Sequence, residues 1–121
     1  MGDMQMEEIR RVYPLNVAYV IFGGEGSAFD FDSEKTRALC NNETFLEDYN
    51  NLLSTLADDE RVVIEKLFRD LKSVDETASE MNLDREYVNS FLYPKAIRKL
   101  RHPSRSRWWY QYLPRAKQDN R

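Results

Sequence analysis

The residues best suited to do chemistry in this chain are cationic and hydrogen-bonding, and they gather towards its C-terminal end. In the run Lys95-Ala-Ile-Arg-Lys-Leu-Arg-His-Pro-Ser-Arg-Ser-Arg107, the cations Lys95, Arg98, Lys99 and Arg101 follow at spacings of 3, 1 and 2. Helical periodicity puts three of these four on roughly one side, a surface suited to phosphate or to an acidic partner. The plainer reading is a solvated helix packed through Ile97 and Leu100. Ten residues upstream of Lys95 stands the pair Arg85-Glu86. An arginine can donate two hydrogen bonds to guanine and a glutamate can accept one from cytosine, the vocabulary of major-groove reading.

Catalytic chemistry has little to work with. His102 is the single histidine and sits inside the basic run, no carboxylate pair stands in a recognisable arrangement, and no nucleophile motif is present. The stretch Gly23-Gly-Glu-Gly26 follows an apolar run but lacks both the Gly-Lys-Ser/Thr ending and the dinucleotide-binding spacing, so it reads as a turn. Cys40, the only cysteine, has no internal disulfide partner and no metal-site spacing around it. The expectation is a protein that is not an enzyme and needs no cofactor or metal.

Charge is divided unevenly over the 121 residues. Residues 91–121 hold nine Lys or Arg against Asp119 alone, a balance of +8, whereas residues 1–90 hold nine bases and twenty acids, a balance of −11. A basic end that meets phosphate and an acidic body that avoids it fit this division, and a uniform coat for nucleic acid does not. The longest apolar run, Val17-Ala-Tyr-Val-Ile-Phe22, is too short to span a bilayer. The acidic Met1-Gly-Asp-Met-Gln-Met-Glu-Glu8 lacks a signal-peptide layout. No membrane association is expected, and a reducing cytoplasm fits best.

A division near Asn41 separates two kinds of sequence. Residues 1–41 form an extension of unassigned role: Met6 to Val12 can make a turn or two of helix, and the β-branched and aromatic run Val17–Phe22 suits a short strand or hairpin. Residues 42–107 are strongly helical. Asn42 or Thr44 caps a helix with Phe45, Tyr49, Leu52, Leu53 and Leu56 on one face. Asp58 or Asp59 opens a second, with Val63, Ile64, Leu67, Phe68 and Leu71 inward. Ser73 and Glu76 form a capping box for a third, carrying Ala78 and Met81, with Asn82 as the left-handed residue at its end. Asp84 caps a fourth, carrying Tyr87, Val88, Phe91 and Leu92. The predicted fold is mainly α, with a helix–turn–helix made by the last two helices. Residues 108–121 form an aromatic and basic tail, in which Trp108-Trp-Tyr-Gln-Tyr-Leu113 is expected to pack over the core or dock on a partner.

From Leu53 to Arg107 the sequence resembles the C-terminal, −35-reading domain of bacterial primary-type sigma factors, whose recognition helix runs into a segment close to Lys-Ala-Leu-Arg-Lys-Leu-Arg-His-Pro-Ser-Arg. Leu53-Ser-Thr-Leu-Ala-Asp-Asp-Glu-Arg-Val-Val-Ile64 matches the opening helix, Ser73-Val-Asp-Glu76 the scaffold helix, and Asn82-Leu-Asp-Arg-Glu-Tyr-Val88 the turn and recognition helix. The resemblance implies that Arg85 and Glu86 reach promoter bases. It implies that Lys95, Arg98, Lys99 and Arg101 lie near DNA and offer a landing surface for an activator. It also implies that Val63, Leu67 and Phe68 line a groove for the flap of the RNA polymerase β subunit. Implied partners are bacterial RNA polymerase, double-stranded promoter DNA, and an activator or anti-sigma factor, in the bacterial cytoplasm or nucleoid.

Three departures from the family pattern bear on DNA reading. The family's base-reading Gln becomes Ser90, its phosphate-contacting Arg becomes Asn89, and one extra residue precedes Lys95 within Asn89-Ser-Phe-Leu-Tyr-Pro94. Proline inside a helix costs about 3 kcal/mol, so the recognition helix is expected to end near Leu92 or kink, with Pro94 opening a separate basic helix. Residues 1–50 are too few for the family's promoter-melting domain, which points to a short sigma-like transcription factor. The alternatives are a degenerate sigma-like module that sequesters or regulates polymerase without reading DNA, and an ordinary helix–turn–helix regulator that dimerises through its N-terminal segment or aromatic tail.

Overall fold

The apolar run that suits a strand by composition folds as a helix. In the computed structural model, which describes residues 12–23, 29–31 and 33–115, α1 spans Leu15–Ile21 and buries Leu15, Val17, Ala18 and Ile21. So short an apolar run has no period that separates strand from helix, and burial decides the outcome. With no strand to pair with among the described residues, a helix satisfies its backbone internally. The one β feature among those residues is an isolated bridge between Phe29 and Arg115. Met6–Arg11, Gly24–Gly26 and the tail beyond Arg115 lie outside the described residues; Gly23 does adopt a turn conformation, at φ +87°.

Side-chain caps mark the next helices. Ser33 accepts from the N–H groups of Lys35 and Thr36 to start α2 (Glu34–Ala38), which tightens into a 3₁₀ turn over Leu39–Asn41. Asn42 accepts the Phe45 N–H at 3.0 Å at the head of α3 (Glu43–Leu53). In α4 (Asp58–Ile64) the cap comes from inside the helix, because the Glu60 carboxylate accepts the Ala57 N–H at 3.0 Å. The capping box expected for α5 (Val74–Met81) is complete, with Ser73 Oγ accepting from Glu76 N–H and Glu76 Oε1 accepting from Ser73 N–H. These contacts satisfy donors that the first turn leaves orphaned. Asn82 then takes the left-handed conformation, φ 60° and ψ 42°, and Leu83 N–H reaches back to Ala78 O at 2.9 Å to close the helix end.

Two π turns shape the remainder. The first, over Glu65–Arg69, extends α4 and ends where Asp70 N–H bonds to Glu65 O, after which Leu71 turns the chain at φ 56°. The second, over Val88–Leu92, joins α6 (Arg85–Tyr87) to α7 (Tyr93–Arg101). The chain does not leave helical geometry before Pro94, and a new α-helical stretch opens at Tyr93 with Pro94 in its first turn. Val88, Leu92 and Tyr93 all keep right-handed helical dihedrals, and Tyr93 N–H bonds to Val88 O, five residues back. A π turn accommodates one residue more than an α turn, so the chain stays helical through Leu92 and Tyr93. Pro94 follows at once, and the carbonyl it would have bonded belongs to exposed Ser90, where water can serve.

One core unites these elements. Phe45, Tyr49 and Leu53 of α3, Val63 and Ile64 of α4, and Ala78 of α5 meet Val88, Leu92, Ala96, Ile97 and Leu100 of the long helix. The α1 residues share that core, as do Trp109 and Leu113. Beyond α8 (Pro103–Ser106) and the 3₁₀ turn Arg107–Gln111, the aromatic segment folds back: Trp109 is fully buried, and Trp108 stacks on Phe45 with ring centroids 5.4 Å apart. Leu71, expected on the apolar face of its helix, is 50% exposed, and Tyr87 and Phe91 of the long helix also stand out, at 39% and 46% exposure. Leu71 has already left the helical stripe, and the stripe of the long helix is narrow, passing through Val88, Leu92 and Ala96. No helix among the described residues is long and apolar enough to cross a membrane.

Candidate nucleic-acid interface

The cations of the basic run divide into two groups, and the division follows what each can reach. Lys99 donates to Glu60 Oε1 at 3.0 Å, and Lys95 Nζ stands 3.4 Å from Glu60 Oε2. Glu60 itself is fully buried. Burial pushes its carboxyl up, but the hydrogen bond from Lys99, the Ala57 N–H and Lys95 together outweigh this and hold it below the usual carboxylate range. Lys95 and Lys99, expected at phosphate, therefore spend part of their charge inside the fold. Their spacing of four along α7 brings both to the N-terminal turn of α4.

Arg101 stays exposed but engages the body of the fold. Its Nε donates to Ile21 O at 3.3 Å and its Nη2 to Val20 O at 3.4 Å, so it closes the C-terminal end of α1, where a cation is electrostatically favoured. Arg105 donates to Thr55 Oγ1 at 2.9 Å and to Thr55 O at 3.2 Å. Arg98 and Arg107 are exposed, and their guanidinium groups make no ion pair or hydrogen bond with the described residues. Lys95, Arg98, Lys99, His102 and Arg105 line one shallow open groove. With Glu60 set against two lysines, that groove keeps an excess of positive charge.

The residues expected to read bases lie on the first turns of the long helix, and all are exposed. Arg85 is ion-paired with Asp75 of α5, both largely in solvent. Glu86 accepts from the Ser90 hydroxyl at 3.1 Å, and Asn89 stands beside them. Exposed pairs of this kind contribute little, at most about 1 kcal/mol, and yield readily to a better partner. Along one flank of the same helix stand Tyr87 and Phe91, rings tilted at 32° with centroids 5.2 Å apart. The Lys95 ammonium lies 5.3 Å from the Phe91 centroid. The sequence places both rings on this helix without saying which face they take, because their i, i+4 spacing is the same signal for either face.

Of the residues expected to meet a polymerase groove, Val63 is fully buried and packs the core, which leaves it no surface to offer. Leu67 and Phe68 are half-buried. The Phe68 ring faces Tyr93 at 6.2 Å, and its carbonyl accepts from Asn16 Nδ2 at 2.9 Å. Exposed Leu71 lies three residues further on. Among the described residues no cluster of three His, Cys, Asp or Glu side chains could hold a metal ion. Cys40 is half-buried, and burial raises its thiol pKa, away from a reactive thiolate.

Comparison with protein-family models, with curated proteins and with solved structures finds no match to this chain.

Proposed function

We propose that this chain is a sigma-factor-like transcription factor that associates with bacterial RNA polymerase at the β flap and contacts promoter DNA in the −35 region or an activator. The observation that carries the reading is the pair of helices α5 and α6–α7. They are joined through the left-handed Asn82, and the second ends in the basic groove. In a helix–turn–helix the second helix enters the major groove, with its N-terminal residues at the base edges. Arg85 and Glu86 occupy that end, while Arg98 and the groove lie about three turns on, where the phosphate backbone would run. Leu67, Phe68 and Leu71 supply the accessible apolar surface for the flap.

A second reading is a module that regulates or sequesters polymerase without reading DNA. It is favoured by the engagement of Arg85 with Asp75, of Glu86 with Ser90, and of Lys95 and Lys99 with Glu60. Titration calorimetry against core polymerase and the isolated β flap tests what both readings share. Anisotropy with a −35-like duplex and a scrambled duplex separates them. Association with the flap together with preference for the −35-like duplex is the expected outcome. Flap association with equal affinity for both duplexes would select the second reading, and no association would reject both.

A further inference from the structure

We propose that Tyr87 and Phe91 read the 5-methyl groups of thymines in the major groove, so that this chain selects thymine-rich sequence by apolar contact; the inference rests on the reading of the chain as a DNA-binding factor. Two large rings stand in solvent at i and i+4 of the long helix, at 39% and 46% exposure. Their exposure is not a failure of packing, because Val88, Leu92 and Ala96 of the same helix are fully buried. The rings are also held in place before anything binds. Tyr87 leans on Phe91 with centroids 5.2 Å apart, and Lys95 covers Phe91 while itself tied to Glu60. Side chains ordered in advance lose less entropy on binding.

Charge says what covers them. Lys95 and Arg98 follow Phe91 by about one and two turns, and the basic groove continues in the same direction. The occupant must therefore be anionic along one side and offer small apolar groups to the rings. The major groove of duplex DNA does both: phosphates line it, and the thymine methyl is the apolar group its base edges carry. The centroid separation of 5.2 Å lies between one and two base-pair steps of about 3.4 Å, so the rings address thymines on adjacent or next-nearest pairs. The polar positions Glu86 and Ser90 remain for hydrogen bonds to neighbouring bases.

The test uses the full chain. Duplexes enriched from a random pool are compared by anisotropy with the same duplexes carrying uracil at single thymine positions, a change that removes only the methyl. Each contacted methyl should contribute about three- to fivefold in affinity, and two together about ten- to twenty-fivefold. Tyr87→Ser and Phe91→Ser, both at exposed positions, should bring the thymine-to-uracil ratio towards one. Tyr87→Phe should keep it, and Arg98→Ala should weaken both duplexes equally. If enriched duplexes bind the same with thymine and uracil at every position, the rings serve another partner, such as an acidic protein surface, and the inference is wrong while DNA reading stands. If no sequence is enriched at all, DNA reading itself fails and the inference falls with it.

Discussion

Lys99 donates its ammonium to the buried carboxylate of Glu60, 3.0 Å away and 39 residues earlier in the chain. The same carboxylate closes the N-terminal turn of α4 by accepting the Ala57 N–H. One acidic side chain thus caps a helix and fixes the basic helix against it. The orientation of the Arg98-lined groove relative to α4 depends on this contact. Removing one partner of such a contact leaves a buried group unsatisfied, a greater loss than the pair itself contributes.

Glu60→Ala should therefore destabilise the fold by about 2–4 kcal/mol, and the double change Lys95→Met with Lys99→Met by a comparable amount. Because the carboxyl is held below its ordinary value, its contribution is present above the unfolded pKa of about 4.3 and fades as pH falls through the folded value. Denaturant unfolding of parent and Glu60→Gln at a series of pH values should show a stability gap that is constant near neutrality and narrows towards pH 3. A gap that widened in acid would mean the carboxyl is protonated in the folded protein.

On the proposed DNA-binding reading, salt dependence should rest on Arg98 and Arg107 more than on the other cations of the run. Arg101 holds the end of α1 and Arg105 holds Thr55, so their loss acts first on stability. Arg98→Ala should flatten the slope of log affinity against log salt by about one unit, with little change in melting temperature. Arg101→Ala should lower the melting temperature and leave the slope near that of the parent. Equal slopes for Arg98→Ala and the parent would place Arg98 away from phosphate.

Local signals in the sequence proved readable where the cause is itself local. The Asn42 cap, the Ser73–Glu76 box and the left-handed Asn82 each depend on residues within three or four positions, and each stands where its sequence puts it. What depended on distant packing was not legible. Val17–Phe22 has strand-like composition, but it folds as a helix packed against α7 and the aromatic segment after it. Tyr87 and Phe91 share the i, i+4 spacing of a core stripe, and only the position of the neighbouring helices leaves them outside. The inward turn of Lys95 and Lys99 required knowing that a buried carboxylate would meet them, which a basic run alone does not disclose.

Trp109 is the largest fully buried side chain, set against Phe45 and Tyr49 of α3. Trp109 and Leu113 are accordingly part of the core. Trp109→Ala should cost about 3–5 kcal/mol, enough to unfold a marginal domain at ordinary temperature. Trp108→Ala removes a half-buried ring and should cost less. Calorimetric melting of the two variants orders them. A larger loss for Trp108 would show that the surface stack on Phe45, not the buried indole, fastens the tail.

Pro94 gives the sharpest test of the long helix. Within a regular α-helix, replacing a proline by alanine should recover about 3 kcal/mol. Here the π turn over Val88–Leu92 has already loosened the bonding pattern ahead of Pro94, and the carbonyl four positions before Pro94 lies at exposed Ser90. Little remains to recover, and alanine also frees the unfolded chain, which offsets part of any gain by about 0.4–1 kcal/mol. Pro94→Ala should therefore change stability by less than about 1 kcal/mol. Deleting Asn89 as well would convert the π turn to an α turn while Val88 and Leu92, then three apart, still face the core. That variant should keep its helical circular dichroism and gain stability over the parent. A gain near 3 kcal/mol from Pro94→Ala alone would mean the proline strains or breaks the helix in solution.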